Sequence, residues 1–234
     1  ALWLTKHKKH LMAPFDESTK ARFAEGTEIG ELAQNLYPGG NAITFETPFM
    51  EKFRLTDKWV QSGVPAIYEA TFKHNDFMCM VDILVKVDDG WELYEVKSST
   101  GEKDVIVDDI AAQYYILTKC GINLKKASLV HINNQYTRNG EVDIDQLFTT
   151  VDLTEKIQSK QLEVEGRLGT FKNLIFQRDE PDQMIGPHCT APYKCDFKDH
   201  CWQGVPDYSV FNIAGLSQDK KFELYYQGLT DIRQ

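Results

Sequence analysis

The sequence predicts a mixed α/β domain in the order αβββαβ, with a sheet flanked by helices. Three observations point to it. Strand-like runs rich in β-branched and apolar residues recur at Ala66–Phe72, Met78–Val87 and Trp91–Lys97. Asp88-Asp89-Gly90, between the last two, is a strong hairpin signal, so these strands are expected side by side and antiparallel. After them, a helical pattern over Val107–Cys120 precedes a further strand at Lys126–Asn133.

The remaining elements follow in order. Residues from about Ala1 to Leu36 read as helical and stop at Tyr37-Pro38-Gly39-Gly40, a strong breaker. A helix is expected over Ala42–Val60 despite Pro48. Ala127-Ser128-Leu129-Val130-His131-Ile132 has the content of an inner strand, on which His131 reads as a satisfied core histidine. Beyond a turn at Tyr136–Glu141, the segment Asp143–Phe148 leads into a long helical pattern from Leu153 to Arg178. The tail from Val205 to Gln234 reads as a connection and a small helix. The expected organisation is a core with flanking helices at 1–180, a cysteine-rich segment at 181–204, and a linker or the start of a further domain at 205–234. At 234 residues and 42% hydrophobic composition, the chain can bury a full core.

Chemistry concentrates in Val81-Asp82-Ile83 and Tyr94-Glu95-Val96-Lys97. Charged groups in apolar, β-branched surroundings need a partner or a metal. Side chains alternate along a strand, so Glu95 and Lys97 share a face while Val96 points to the other layer. Hairpin pairing then lets Asp82 and Glu95 converge on one hard cation such as Mg2+, with Lys97 placed to act on a water or a phosphoryl oxygen. The plainer alternative is a surface hairpin with a cross-strand ion pair.

Asp82 followed by Glu95-Val96-Lys97 resembles the core of the PD-(D/E)xK nucleases, and Leu93-Tyr94-Glu95-Val96-Lys97-Ser98 is similar to the RecB-like branch. Asp109-Ile110-Ala111-Ala112-Gln113 places Asp109 and Gln113 one helical turn apart and resembles the helix after that family's catalytic strand. The resemblance implies a restriction-endonuclease-like core. It also implies a Mg2+- or Mn2+-dependent deoxyribonuclease of exonuclease type, acting on DNA in repair or defence. Asp82, Glu95 and the Val96 carbonyl would hold the ion, Lys97 would position water, and Gln113 would hold the lysine or the substrate. The helix-like Phe23–Ala33 resembles the family's first motif, but Gly30 stands where a histidine ligand is expected. Glu28 or Glu69 could replace it, and Glu69, in a strand-like run beside Asp82, is the preferred third ligand.

Cys189, Cys195 and Cys201 recur at even intervals in a loop-rich stretch. Clustered thiolates suit iron–sulfur clusters or Zn2+, and the absence of CxxC spacing argues against zinc. The arrangement resembles the iron–sulfur staple of AddB and the CRISPR adaptation nucleases, which implies a 4Fe–4S cluster clamping the domain. A cysteine preceding Ala1, or His188, would be the fourth ligand, whereas Cys79 and Cys120 read as buried thiols.

The formal charge of −9 argues against a generic basic nucleic-acid binder but is compatible with a site rich in carboxylates. Lys6, Lys8 and Lys9, or Lys119, Lys125 and Lys126, are local groups that could track a strand or be solvated surface. Tyr114, Tyr115 and Tyr193 could stack on bases or pack in the core. With no bilayer-length apolar run and no signal-peptide pattern, a soluble cytoplasmic protein without a membrane partner is expected. The second functional class is a catalytically silent nucleic-acid or protein interaction module of a repair or defence assembly.

Overall fold

A computed structural model describes residues 1–233. The chain forms two compact units, one of residues 1–16 with 170–234 and one of residues 17–169. That division unites both ends of the chain in one unit, which boundaries at 180 and 204 do not anticipate. α1 (Leu2–His7) opens the smaller unit and α2 (Glu17–Ala33) the larger.

The larger unit is a mixed α/β structure around a six-stranded sheet, ordered β1 to β6 as in the sequence. β1 (Asn41–Ala42) lies parallel to β2 (Ala66–His74) after α3 (Phe49–Ser62). Pro48 is the N-cap of α3 rather than an interruption, because proline is tolerated where the backbone N–H has no helical partner. β2, β3 (Phe77–Val87) and β4 (Gly90–Lys97) form an antiparallel meander, as expected. Gly90 ends the hairpin turn, where a Cβ would lie 2.4 Å from the Asn123 carbonyl oxygen, so only glycine allows this approach. α4 (Asp104–Lys119) then leads to β5 (Leu124–Ile132), parallel to β4.

Several elements depart from the expectation, the first being Asn41–Ala42, a strand where a helix was expected to start, so that the helix begins only at Phe49 after Pro48. α5 (Ile144–Leu147) is one short turn, and β6 (Phe148–Asp152) pairs antiparallel with β5 where a lead-in to a helix was expected. The physical reason is the run Thr149-Thr150-Val151, whose branched side chains fit a pleated edge. The long helix is divided into α6 (Thr154–Ser159) and α7 (Gln161–Ile175), separated at Lys160.

Each sheet face carries its own core. On one, α4 buries Ile106, Ile110 and Leu117 against Ile67, Leu84, Leu93 and Leu129. On the other, Ala33 of α2 packs with Tyr68, Ile83, Tyr94 and Val130. Strand alternation breaks at one point. Ala66 and Tyr68 face the α2 layer and Ile67 the α4 layer, yet Ala70 and Phe72 also face α4. Glu69 between them has a left-handed backbone, φ 59°, which reverses the alternation. β3 reverses at the facing position: Val81 joins the α4 core and Ile83 the α2 core.

In the smaller unit, Trp3 and Leu4 of α1 pack on Phe197. α8 (Lys198–Cys201) and α9 (Gln218–Tyr226) complete it, with Phe222 packed against Ile185 and Cys189. No helix among the described residues is long and apolar enough to cross a membrane.

Candidate active site

The ladder registers align three carboxylates. Tyr68 pairs with Ile83 and Ala70 with Val81, so Glu69 stands opposite Asp82. Ile83 pairs with Tyr94, and continuing that register sets Asp82 opposite Glu95. Regular β3–β4 pairing ends at this point, and the Asp82 carboxylate replaces it, with Oδ2 accepting from the Val96 N–H at 2.6 Å. Glu69, Asp82 and Glu95 therefore form a row across three neighbouring strands. The break in alternation is what lets two charged residues occupy strands otherwise lined by Ile, Val and Leu.

Glu95 is 3% exposed and points to the α4 layer with Leu93. Its Oε1 accepts from the Lys97 ammonium, and its Oε2 accepts from Gln113 Nε2 at 2.7 Å. Lys97 Nζ also donates to Asp109 Oδ2 at 3.1 Å, and Gln113 Nε2 reaches Asp109 Oδ1 at 3.5 Å. Asp109 and Gln113, one turn apart on α4, thus clasp the acid and the amine of β4 from above. The i, i+4 spacing puts Asp109 on the Gln113 face, and only its contact with Lys97, a residue of the neighbouring strand, brings Asp109 into the site. Gln113 is 5% exposed, and its Oε1 is buried without a hydrogen-bond partner.

Burial raises the Asp82 carboxyl above the usual carboxylate range, opposed by the Val96 N–H and assisted by Glu69. Burial, then the Asp82 charge, raises Glu95 as well. Glu69 rises through burial and then Glu95, with Lys52 opposing. At Lys97 burial disfavours the charge, but Glu95 and Asp109 outweigh it and hold the amine above the ordinary lysine value. The row is thus a crowd of acids short of positive charge. Hard oxygen donors in this state suit a divalent cation, and the orphaned Gln113 oxygen suits a water beside it. Among the described residues, however, no group of three or more His, Cys, Asp or Glu side chains is spaced to hold a metal. Here the Lys97, Gln113 and Val96 donors occupy carboxylate oxygens that an ion would take.

Other candidates fall elsewhere. Glu28 is exposed on α2. His131 is half-buried rather than a core residue; it pairs in register with Lys97, and its Nδ1 lies 2.9 Å from the Ile132 carbonyl oxygen. Tyr114 packs in the α4 core, Tyr115 donates to Glu165 at 2.9 Å, and Tyr193 is exposed. Lys119, Lys125 and Lys126 are each engaged by a carboxylate, of Glu165, Asp89 and Asp152 in turn.

In the smaller unit, Cys189, Cys195 and Cys201 line one cavity of about 250 Å³ together with His188, Glu180 and the Ala1 end of the chain. Cys189 is buried, Cys195 half-buried and Cys201 exposed, and all are free thiols. Thiols suit a thiophilic metal in kind, but among the described residues no three His, Cys, Asp or Glu side chains are spaced to hold one, here as in the larger unit. Cys79 and Cys120 belong to the larger unit, where Cys79 is half-buried and burial pushes its thiol up to about 12. Cys120 is exposed and not buried as expected, because it caps the C-terminus of α4, where its Sγ donates to the Lys73 carbonyl at 3.3 Å.

No protein-family model matches the chain, and no curated protein matches it. A solved structure described as "Crystal structure of SSO0001" is 14% identical, with 70% of this chain aligned to 85% of that one at a TM-score of 0.21. A likeness of that strength carries no argument about fold or activity.

Proposed function

We propose that the larger unit is a restriction-endonuclease-like core of the RecB-like kind that hydrolyses phosphodiester bonds in DNA with bound Mg2+ or Mn2+. The observation that carries this reading is the row Glu69–Asp82–Glu95 with Lys97 on the Glu95 face. Glu69, Asp82, Glu95 and the Val96 carbonyl would hold the ion. Once bound, the ion would offset charge on the phosphoryl oxygens and lower the pKa of water. Asp82 ties its carboxylate to the β4 backbone, fixing the spacing of the two strands. Lys97, kept protonated between Glu95 and Asp109, orients a water and balances charge gathering on the phosphoryl group. Gln113 holds the Glu95 carboxylate in one rotamer.

In the smaller unit, Cys189, Cys195 and Cys201 would take an iron–sulfur cluster, with Zn2+ as the second choice, in a structural role. Five free thiols and no disulfide fit a cytoplasmic setting. A second reading, a silent DNA- or protein-binding module, is favoured by Gly30 at the first-motif position and by the Lys97–Glu95 contact that fills the site.

Labelled single- and double-stranded DNA with Mn2+ separates the two readings. Wild type cleaves, and Lys97→Ala loses about 10²- to 10⁴-fold in rate. Equal, low activity in both proteins would leave only the binding module.

A further inference from the structure

The sheet brings one histidine beside the carboxylate row. Leu129 belongs to the α4 core and Val130 to the α2 core, so alternation along β5 turns His131 to the α4 face. Glu95 and Lys97 occupy that face on β4, where Lys97 reaches Asp109 of α4 and pairs in register with His131. Neighbouring strands lie about 4.8 Å apart, so the amine and the imidazole rise next to each other. On its other side His131 pairs with Thr149 of β6, which carries no charge.

The ring's own hydrogen bond decides which nitrogen is available. Nδ1 lies 2.9 Å from the Ile132 carbonyl oxygen. A carbonyl only accepts, so Nδ1 carries the proton and donates, and Nε2 of the neutral ring keeps its lone pair. Nε2 has no hydrogen-bond partner among the described residues. The half-buried ring is thus held at one nitrogen and unengaged at the other.

Hydrolysis at the row needs such a nitrogen. An attacking water must lose a proton as its oxygen bonds to phosphorus. Lys97 cannot take it, because an ammonium offers donors and no acceptor, and Glu95 and Asp109 both hold the amine in that form. Those two carboxylates are themselves engaged by Lys97 and Gln113, and Asp82 Oδ2 by the Val96 N–H. Glu69 stands two strands away from Lys97. The orphaned Gln113 oxygen belongs to an amide, which accepts a hydrogen bond without taking the proton.

We propose that His131 is the proton acceptor of the hydrolysis, with Nε2 taking a proton from the water that Lys97 orients. The water oxygen forms the new bond to phosphorus as the bond from phosphorus to the departing sugar oxygen breaks. That oxygen takes a proton from solvent, and the imidazolium returns its own to solvent. The proposal rests on the phosphodiesterase reading of the row.

The test is single-turnover cleavage of labelled single- and double-stranded DNA with Mn2+ by the full chain. His131→Gln, which keeps a donor for the Ile132 carbonyl, lowers the rate about 10²-fold or more, while DNA affinity by anisotropy stays within about twofold. His131→Ala falls as far, and imidazole added to the buffer restores part of its rate, with more basic imidazoles restoring more. Such rescue also shows that the alanine variant is folded. A glutamine variant within about threefold of wild type, or an alanine variant that no imidazole restores, would overturn the assignment. Nitrogen-15 spectra of the DNA-free protein give a second readout: Nε2 is bare in the neutral ring, and a protonated Nε2 there would equally overturn it. Lys97-dependent cleavage that is indifferent to His131 would remove the base alone. Absence of cleavage by wild type, or cleavage indifferent to Lys97, would remove the base and the nuclease reading together.

Discussion

The carboxylate row and the cysteine cavity are built in opposite ways. Glu95 sits on a central strand, its two oxygens taken by Lys97 and Gln113, and Asp82 is tied to the β4 backbone. Cys189, Cys195 and Cys201 sit on a short 3-10 turn, a loop and a one-turn helix, joined by a single backbone hydrogen bond from the Cys195 N–H to the Cys189 carbonyl at 3.0 Å rather than by a ladder. A site made on a hydrogen-bonded ladder holds its geometry without a ligand. A site made on loops depends on what it binds, because metal binding then contributes directly to folding.

The largest expected effect separates the two on activity. On the proposed nuclease reading, Glu95→Gln is expected to lower DNA cleavage by more than about a hundredfold, and Gln113→Ala by about 10- to 100-fold, since one would remove a ligand of the ion and the other the partner that orients it. Cys195→Ser leaves the per-molecule cleavage rate of the larger unit within about twofold, read on the same substrate. Cleavage by Cys195→Ser as poor as that of Glu95→Gln would erase the distinction.

Next comes stability. Limited proteolysis of Cys195→Ser, or of wild type after chelation, is expected to cut within 176–186 at least about tenfold faster while spares 66–132. Equal protection of both segments would show that the cavity holds itself together unaided.

The pH dependence follows from the row. Glu69, Asp82 and Glu95 all have folded-state pKa values raised above their unfolded ones, so the native state holds protons that the unfolded chain has released. Stability without divalent ions therefore falls as pH climbs from the ordinary carboxylate range through the raised values. Thermal melting in chelator should drop between pH 5 and pH 9, at about 2–4 °C per kcal/mol. Mn2+ should restore the loss at high pH and do little at pH 5. A melting temperature that rises over this range would contradict the crowding.

The smallest effect concerns the backbone. Glu69→Gly removes a non-glycine left-handed residue and one of the crowded acids, and it is expected to stabilise the ion-free protein by about 1–2 kcal/mol. Cleavage should fall in the same variant. A destabilised Glu69→Gly would mean that the side chain, rather than the turn it makes, holds β2 and β3 in place.

Much of this arrangement was legible in the chain itself. Alternation over Trp91–Lys97 puts Glu95 and Lys97 on one face, and the Asp-Asp-Gly turn sets Asp82 opposite them. Glu69 was placed beside Asp82 from its strand-like surroundings, but the reversal it produces was not readable. A glutamate carries no local signal for φ 59°, and the two sheet faces together select that conformation. β6 was missed because five residues with two threonines form a strand only when β5 offers an edge.

Local periodicity, turn chemistry and the spacing of a few charged residues determined the meander, the crossover helix and the faces on which acid and amine meet, since these depend on neighbours a few residues apart. The tertiary structure decided the rest: that Asp109 closes on Lys97, that both ends of the chain share one unit, and that three thiols line one cavity. Those outcomes join residues far apart in sequence, and contacts of that kind are selected by the packing of whole layers rather than by any local preference.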